Sequence, residues 1–399
     1  MNAKPKILIT GCTGFLGLSL TEYYVNYHLD TYDIVGTGRN RNKIPENILK
    51  KITFIKADIV NKNVGKLLCK NIAVVIHCAA LCKPWGAYKE HFDVNFLGTA
   101  NIVDGCMHHG VKLLIHISSP SVLFPVNRPS EELNVKGFIK KVNHQTKVVH
   151  ESEVANNYIK TKLLAEKLIS AINNDNDNSK DDVLPSVLSS SSVNISHIID
   201  NTKDCKLRTI ILRPRAIFGP GDTTLLPRLL KALKANRFPI IDAGKTIMDL
   251  TYIDNLVHAI NCSVDIGMKE INNIINVVNV ENGNEKHSIF GNVYNVTNDE
   301  PVEINWLINK LCKSIPTLSQ PTKKYSRTFL WYVANIMEFF FSIFLFFGID
   351  LEPPITKYTV NVFSCSVVFD ISQTKKDLNY EPIVNMNDAI DRTIKTLKV

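Results

Sequence analysis

Tyr158 and Lys162, in the string YIKTK, stand at i and i+4, so on a helix both project from one face. A phenol and an ammonium placed this way are suited to passing a proton to or from an oxygen whose carbon gains or loses hydride. The phenol does this near neutral pH only if its pKa of about 10 is brought down, and a neighbouring cation supplies the field. Spacing alone carries little weight, because twelve tyrosines in a lysine-rich chain yield about one such pair by chance. Context matters more. The pair begins a helical pattern that follows the strand-like KLLIHISS, which ends in Ser118-Ser119-Pro120-Ser121 at the edge where open α/β sheets bind ligands. A serine hydroxyl there holds the substrate oxygen. Ser119 is the first choice, with Ser121 and Ser118 behind it, and a strand-end cap is the structural alternative for each.

A second group of residues reads as a dinucleotide site. TGCTGFLG follows the short strand KILIT and opens a helix. In such a loop Gly11 permits the tight turn, Gly14 the close approach of a pyrophosphate and Gly17 the packing of helix on strand. Thr13, Phe15 and Leu16 complete the loop, whose free amides and helix dipole face the phosphates without a basic side chain. Asp58, in KADI after the third strand, either accepts from an adenine amino group or caps a helix. The second strand ends in GTGRNR, without the acidic residue that binds the ribose 2′-hydroxyl of NAD, while Arg39 and Arg41 suit a 2′-phosphate. The expected cofactor is NAD or NADP, leaning to NADP.

These groups need a scaffold, and the chain supplies one. Short β-branched runs (KILIT, DIVGTG, KITFIKA, AVVIHCAA, KLLIHISS) alternate with helical patterns, which means βαβ units and a parallel sheet. The fold class is α/β, a doubly wound Rossmann domain over 1–220 with a smaller substrate-binding lobe over 221–399. Polar, low-complexity residues 173–206 read as a surface insertion. With 399 residues, 45% hydrophobic and 21% charged, the chain has the composition of an ordinary globular protein. A net charge of +8 without a basic block argues against nucleic acid, and nine cysteines without a CxxC pair read as free thiols with no metal centre. MNAKPK runs straight into a strand, so no cleaved signal peptide is expected, and the active site is expected to face the cytosol.

TGCTGFLG, HCAA (His77 to Ala80), the SSPS strand end, YIKTK and RPRAIFGPGD (Arg213 to Asp222), in this order, resemble an extended short-chain dehydrogenase/reductase. Within that superfamily the chain is most similar to the 3β-hydroxysteroid and sterol dehydrogenases, and LTYIDN, VYNVTNDEPV and FDISQTKKDLNYEP extend the likeness. The resemblance implies Ser119, Tyr158 and Lys162 as the catalytic trio and Gly11, Gly14 and Gly17 as the pyrophosphate loop. It also implies Ala79 and Ala80 at a cofactor-facing strand end, Asn95 supporting the site from a long helix, Pro214 beside the nicotinamide, and Tyr252 and Asp254 shaping the substrate lobe. The stretch from Ser119 to Tyr158 is longer and richer in lysine than the family pattern.

One segment stands apart. FLWYVANIMEFFFSIFLFF, 329–347, nearly matches the roughly twenty residues that span a bilayer core, but Asn335 and Glu338 interrupt it. An interfacial helix contacting a membrane surface, flanked by Lys323, Lys324 and Arg327, is the expectation, and a helix packed on the substrate lobe is its alternative. The chain is thus expected to dehydrogenate the 3β-hydroxyl of a sterol or similar apolar alcohol, as a homodimer, in the cytoplasm or on the cytoplasmic face of an intracellular membrane. Two other readings share the dinucleotide loop: a nucleotide-sugar epimerase or dehydratase, and a non-catalytic NAD(P) sensor.

Overall fold

The computed structural model describes residues 3–124, 140–143, 146–173, 207–241, 244–277 and 288–397. Seven strands form the main sheet: β1 (Lys6–Thr10), β2 (Asp33–Gly38), β3 (Thr53–Lys56), β4 (Val74–His77), β5 (Leu113–Ile117), β6 (Arg208–Pro214) and β7 (Val293–Val296). All neighbours are parallel, in the order β7-β6-β5-β4-β1-β2-β3. The doubly wound sheet expected from the sequence is therefore present. The strand order reverses between β1 and β4, and ligands of open α/β sheets bind at the crevice of such a switch point.

Strands covered on both faces read as unbroken apolar runs, and here β4 and β5 are buried throughout. Alternate residues feed two cores. Ile7, Ile9, Ile76, Ile115 and Leu212 pack with the helices Phe15–Tyr27 and Ile253–Val277, through Leu20, Tyr24, Leu256 and Ile260. Leu8, Val75, Leu114 and Ile211 pack with the helices Gly98–His109 and Asn157–Asn173 on the other face. The result is a rigid platform whose carboxyl edge carries Thr10, Gly38, His77, Ile117 and Pro214.

A four-stranded sheet of Val302–Glu303, Ile247–Met248, Val367–Phe369 and Lys140–Val142 belongs to the smaller lobe. A third core of Phe218, Leu226, Met248, Leu307 and Ile390 surrounds it. Lobe membership is not collinear with the chain: β7 comes from beyond residue 220, and Lys140–Val142 crosses the other way to pair with Val367–Phe369. Of the insertion expected at 173–206, the helix reaches Asn173 and residues 174–206 lie outside the described residues.

The apolar segment forms the helix Arg327–Phe346. Among the described residues it alone is long and apolar enough to cross a membrane, and 11% of its apolar window is buried. Arg327 does not join the exposed basic flank: it is 5% exposed and donates to Asn361 Oδ1 at 3.2 Å. None of the eight described cysteines is in a disulfide, and no cluster of metal-ligating residues occurs among the described residues.

Candidate active site

The glycine loop closes as its residue types require. Gly11 has φ 69°, and a Cβ there would lie 2.9 Å from the backbone of Ala79 at the end of β4. A Cβ on Gly17 would sit 2.1 Å from the Gly11 carbonyl oxygen. Gly14 differs, since its nearest neighbour would be the Gly11 oxygen at 3.3 Å, so the fold leaves it room. Gly14 donates from its backbone to Gly11 at 2.9 Å and precedes the helix Phe15–Tyr27, which has no side-chain cap and no acidic residue in its first turn. Such a helix start, with uncapped amides and only a glycine before it, fits an anionic pyrophosphate. Thr13 packs against Gly38, where a Cβ would meet its Oγ1 at 2.6 Å, and Phe15 lies under Gly221 of the turn after β6.

Around this loop the remaining dinucleotide candidates take distinct positions. Arg39 is exposed at the end of β2, its guanidinium 3.9 Å from Asp58 Oδ2, a loose surface pair. Asp58 Oδ1 accepts from Val60 N at 3.1 Å, so the carboxylate holds a turn after β3 and its second oxygen faces Arg39. Ala79 donates from its backbone to Thr10 Oγ1, and Ala80 follows, half-buried. Pro214 is buried at the end of β6, paired with Val296.

Asn95 lies on a π-helical turn, Phe92–Leu97, between Tyr88–His91 and Gly98–His109, a local irregularity that often marks functional sites. Its Oδ1 accepts from Leu81 N at 2.7 Å, and its Nδ2 donates to Leu81 O and to Thr161 Oγ1 at 3.2 and 3.1 Å. One buried amide thereby ties the loop after β4 to the helix that carries Tyr158.

That helix begins because Asn156 Oδ1 accepts from Ile159 N at 2.9 Å, an N-cap. Tyr158, Lys162 and Glu166 then fall on one face, a turn apart. Enclosure by the protein, with Cys82 and Tyr358 nearby, drives the Tyr158 pKa well above its usual value, and the neighbouring Ser119 draws it partly back down. Ser119 Oγ accepts from Ser121 N at 3.3 Å, so the strand-end cap and the contact with Tyr158 coexist.

Lys162 is buried, and its ammonium donates to Ile117 O at 2.5 Å and lies 3.4 Å from His116 Nε2. The cation the sequence pairs with Tyr158 is thus turned toward the end of β5. Burial pushes its pKa down to about 8. His116 stacks on His77 with ring centroids 5.5 Å apart, and both are held neutral by burial and by Lys162, His77 at about 3. Thr99 donates to Asn95 O at 2.6 Å, so His77 Nε2 carries the proton that Thr99 Oγ1 accepts at 3.0 Å, and His77 Nδ1 accepts from Thr10 at 2.8 Å.

Ser118 takes a different role from Ser119. Its hydroxyl donates to Glu166 Oε2 at 2.5 Å, and Glu166 is ion-paired with Arg213, both side chains 4% exposed. This buried pair pins the helix Asn157–Asn173 to β6. Tyr252 and Asp254 also serve the frame: Tyr252 is buried against Phe218, and Asp254 pairs with Arg392. Sequence reasoning missed Tyr358, on the helix Lys357–Ser364, whose hydroxyl lies 3.0 Å from Ser121 Oγ. Nothing local announces it, because a fold contact across 237 positions delivers it.

With this geometry in place, the profile of the 3-beta hydroxysteroid dehydrogenase/isomerase family matches residues 8–323. The chain belongs to that family. It is accordingly an NAD(P)-dependent oxidoreductase, and the glycine loop and hydroxyl cluster are the parts such chemistry requires. This member of the 3-beta hydroxysteroid dehydrogenase/isomerase family is 25% identical to a sterol-4-alpha-carboxylate 3-dehydrogenase (decarboxylating) of Bos taurus, covering 99% of this chain and 92% of the relative. It is also 25% identical to a 2-alkyl-3-oxoalkanoate reductase of Shewanella oneidensis, covering 96% and 84%. A 3beta-hydroxysteroid-dehydrogenase/decarboxylase of Arabidopsis thaliana is 26% identical, and the chain spans 61% of its length. Of solved structures, a UDP-glucuronic acid 4-epimerase of Bacillus cereus in complex with NAD superposes with a TM-score of 0.62 at 21% identity, covering 98% of both chains. That likeness shows the Rossmann fold.

Proposed function

We propose that this protein interconverts the 3β-hydroxyl and 3-ketone of a sterol, or of a similarly bulky apolar alcohol. The observation that carries the reading is the placement of Tyr158 beside Ser119 at the carboxyl edge of β5, with Lys162 one turn behind and the glycine loop at the same sheet edge. A bound nicotinamide supplies the carbon that accepts or returns hydride. The chain handles the proton. Ser119 holds the carbinol oxygen beside the Tyr158 hydroxyl, which takes the proton in oxidation and returns it in reduction. Lys162, buried and cationic below about pH 8, favours the phenolate by its charge. Asn95 fixes the helix that bears both. Gly11 and Gly14 shape the pyrophosphate site, Gly17 packs the helix on the strand that carries it, Ala79 and Ala80 flank it, and the exposed Arg39 selects NADP through the 2′-phosphate.

The reading includes a membrane surface. Phe329, Phe339 and Phe347 are 53%, 63% and 71% exposed, a density of apolar groups that a soluble surface seldom carries. Exposed Lys323 and Lys324 lie just before the helix, as anionic headgroups favour. Flotation with anionic phospholipid vesicles is expected to carry the wild-type chain and not a Phe339→Ser/Phe340→Ser/Phe344→Ser variant. Wild type remaining entirely in the soluble fraction contradicts this part.

Turnover decides the substrate. Sterols, long-chain β-hydroxy acids and nucleotide sugars are assayed with NAD and with NADP, and reduced dinucleotide is expected with the sterols. Conversion of a UDP-sugar with the dinucleotide retained throughout overturns the proposal in favour of an epimerase.

A further inference from the structure

Two segments that reach the catalytic hydroxyls also meet elsewhere. The first, Leu81 to Ala87 after β4, brings Cys82 next to Tyr158 and accepts the Asn95 amide at Leu81 O at 3.2 Å. The second, around Thr356 to Tyr358, brings the Tyr358 hydroxyl to Ser121. Each also lines one surface groove: Trp85 from the first, Lys357 from the second, and Ile336, Glu338, Phe339 and Phe340 from the apolar helix Arg327–Phe346.

The groove is a built feature with polar and apolar parts. Glu338 accepts from Lys357 N at 2.7 Å and pairs with its ammonium at 3.3 Å, and Asn335 Oδ1 accepts from the same ammonium at 3.3 Å. This clamp fixes the start of the helix Lys357–Ser364, which a Thr356–Thr359 capping box also holds. The Trp85 indole N–H is buried without a hydrogen-bond partner, a donor that the protein itself leaves unused. Lys83, two residues before Trp85, is ion-paired with Asp350 beyond the apolar helix at 3.0 Å, so the two walls are joined.

We propose that this groove binds the far, apolar end of the substrate while its hydroxyl lies between Ser119 and Tyr158, so that the substrate enters along the apolar helix. The inference rests on the alcohol-dehydrogenase reading for the reacting end. Its occupant is a long apolar molecule with one polar end, because the groove sets a tryptophan and two phenylalanines beside the two segments whose neighbouring residues, Cys82 and Tyr358, adjoin Tyr158 and Ser121. Residues Asn335 to Lys357 lie beyond residues 8–323, the part of the chain that the family profile covers, whereas Trp85 lies within it.

The test is photolabelling of the full chain with a 3β-hydroxysterol that carries a diazirine at the end of its side chain. Adducts are expected on peptides containing Trp85 and residues 335–342, reduced about tenfold in Trp85→Leu. Adducts confined to other peptides overturn the groove. Because Trp85→Leu is open to misfolding, Phe340→Ser, at an exposed position, provides an independent second variant with the same expected loss. Turnover with label elsewhere rejects the groove and keeps the dehydrogenase; label in the groove without turnover does the reverse.

Discussion

Replacing Gly17 and Gly14 separately by alanine separates folding from cofactor binding within one loop. In Gly17→Ala the new methyl would lie 2.1 Å from the Gly11 oxygen and 2.6 Å from its carbonyl carbon. Both are backbone atoms, so the helix Phe15–Tyr27 must back away from β1 by about 1 Å to reach a normal contact, which in a packed core costs roughly 1–3 kcal/mol. For a chain of 399 residues that is a fall in Tm of roughly 1–4 °C. In Gly14→Ala the nearest atom is 3.3 Å away, so Tm should hold. Its methyl instead occupies the approach of the pyrophosphate, and dinucleotide Kd should rise tenfold or more, about 1.4 kcal/mol. Thermal denaturation without ligand and titration of reduced-dinucleotide fluorescence read the two effects. If Gly14→Ala lowers Tm as much as Gly17→Ala, or binds dinucleotide like wild type, the division of labour assigned to the loop is wrong.

Three further outcomes follow from the buried cluster and the second strand. The folded-state pKa of Lys162 lies near 8, below its usual 10.5, so the unfolded chain binds more protons between those values and stability should rise with pH across that window. Lys162→Met should remove this dependence and melt higher than wild type at pH 7, by on the order of 3 kcal/mol, while losing turnover; a variant that melts lower contradicts the burial penalty. His116→Leu removes the acceptor 3.4 Å from Lys162 and should lower that pKa further, so ketone reduction, whose kcat/KM falls above about pH 8 in wild type, loses activity about one pH unit earlier. His116→Gln should restore the wild-type profile, and coincident profiles for Leu and wild type would remove His116 from the account. Arg39→Ala should cut the preference for NADP over NAD by about tenfold, measured as the ratio of kcat/KM values.

How much of this was legible depended on the range of the interaction. The loop from Gly11 to Gly17 is a local pattern whose neighbours are the strand before it and the helix after it, so residue type and spacing sufficed. The parallel sheet was legible because fully buried strands such as Leu113–Ile117 are apolar runs broken at most by one histidine. Asp58 shows the limit: a carboxylate after a strand serves a turn or a ligand equally well in sequence, and only the bond to Val60 tells that it holds the turn. Ser118 and Ser119 are indistinguishable as letters, yet alternation along an extended chain sends one to Glu166 and the other to Tyr158. His77, His116 and Tyr358 were silent because their partners lie on other strands or in the distant C-terminal region. Arg327 looked like a flanking cation, but burial against Asn361 removes it from the surface.

The central claim is hydride transfer with Tyr158 as the proton-transfer group. A 3β-hydroxysterol carrying deuterium on the carbinol carbon, incubated with the protein and NAD(P), tests it most directly. The expected result is deuterium in the reduced dinucleotide, with both label transfer and turnover abolished in Tyr158→Phe while dinucleotide still binds. Label transfer at the wild-type rate in Tyr158→Phe, or none in wild type, would contradict the claim.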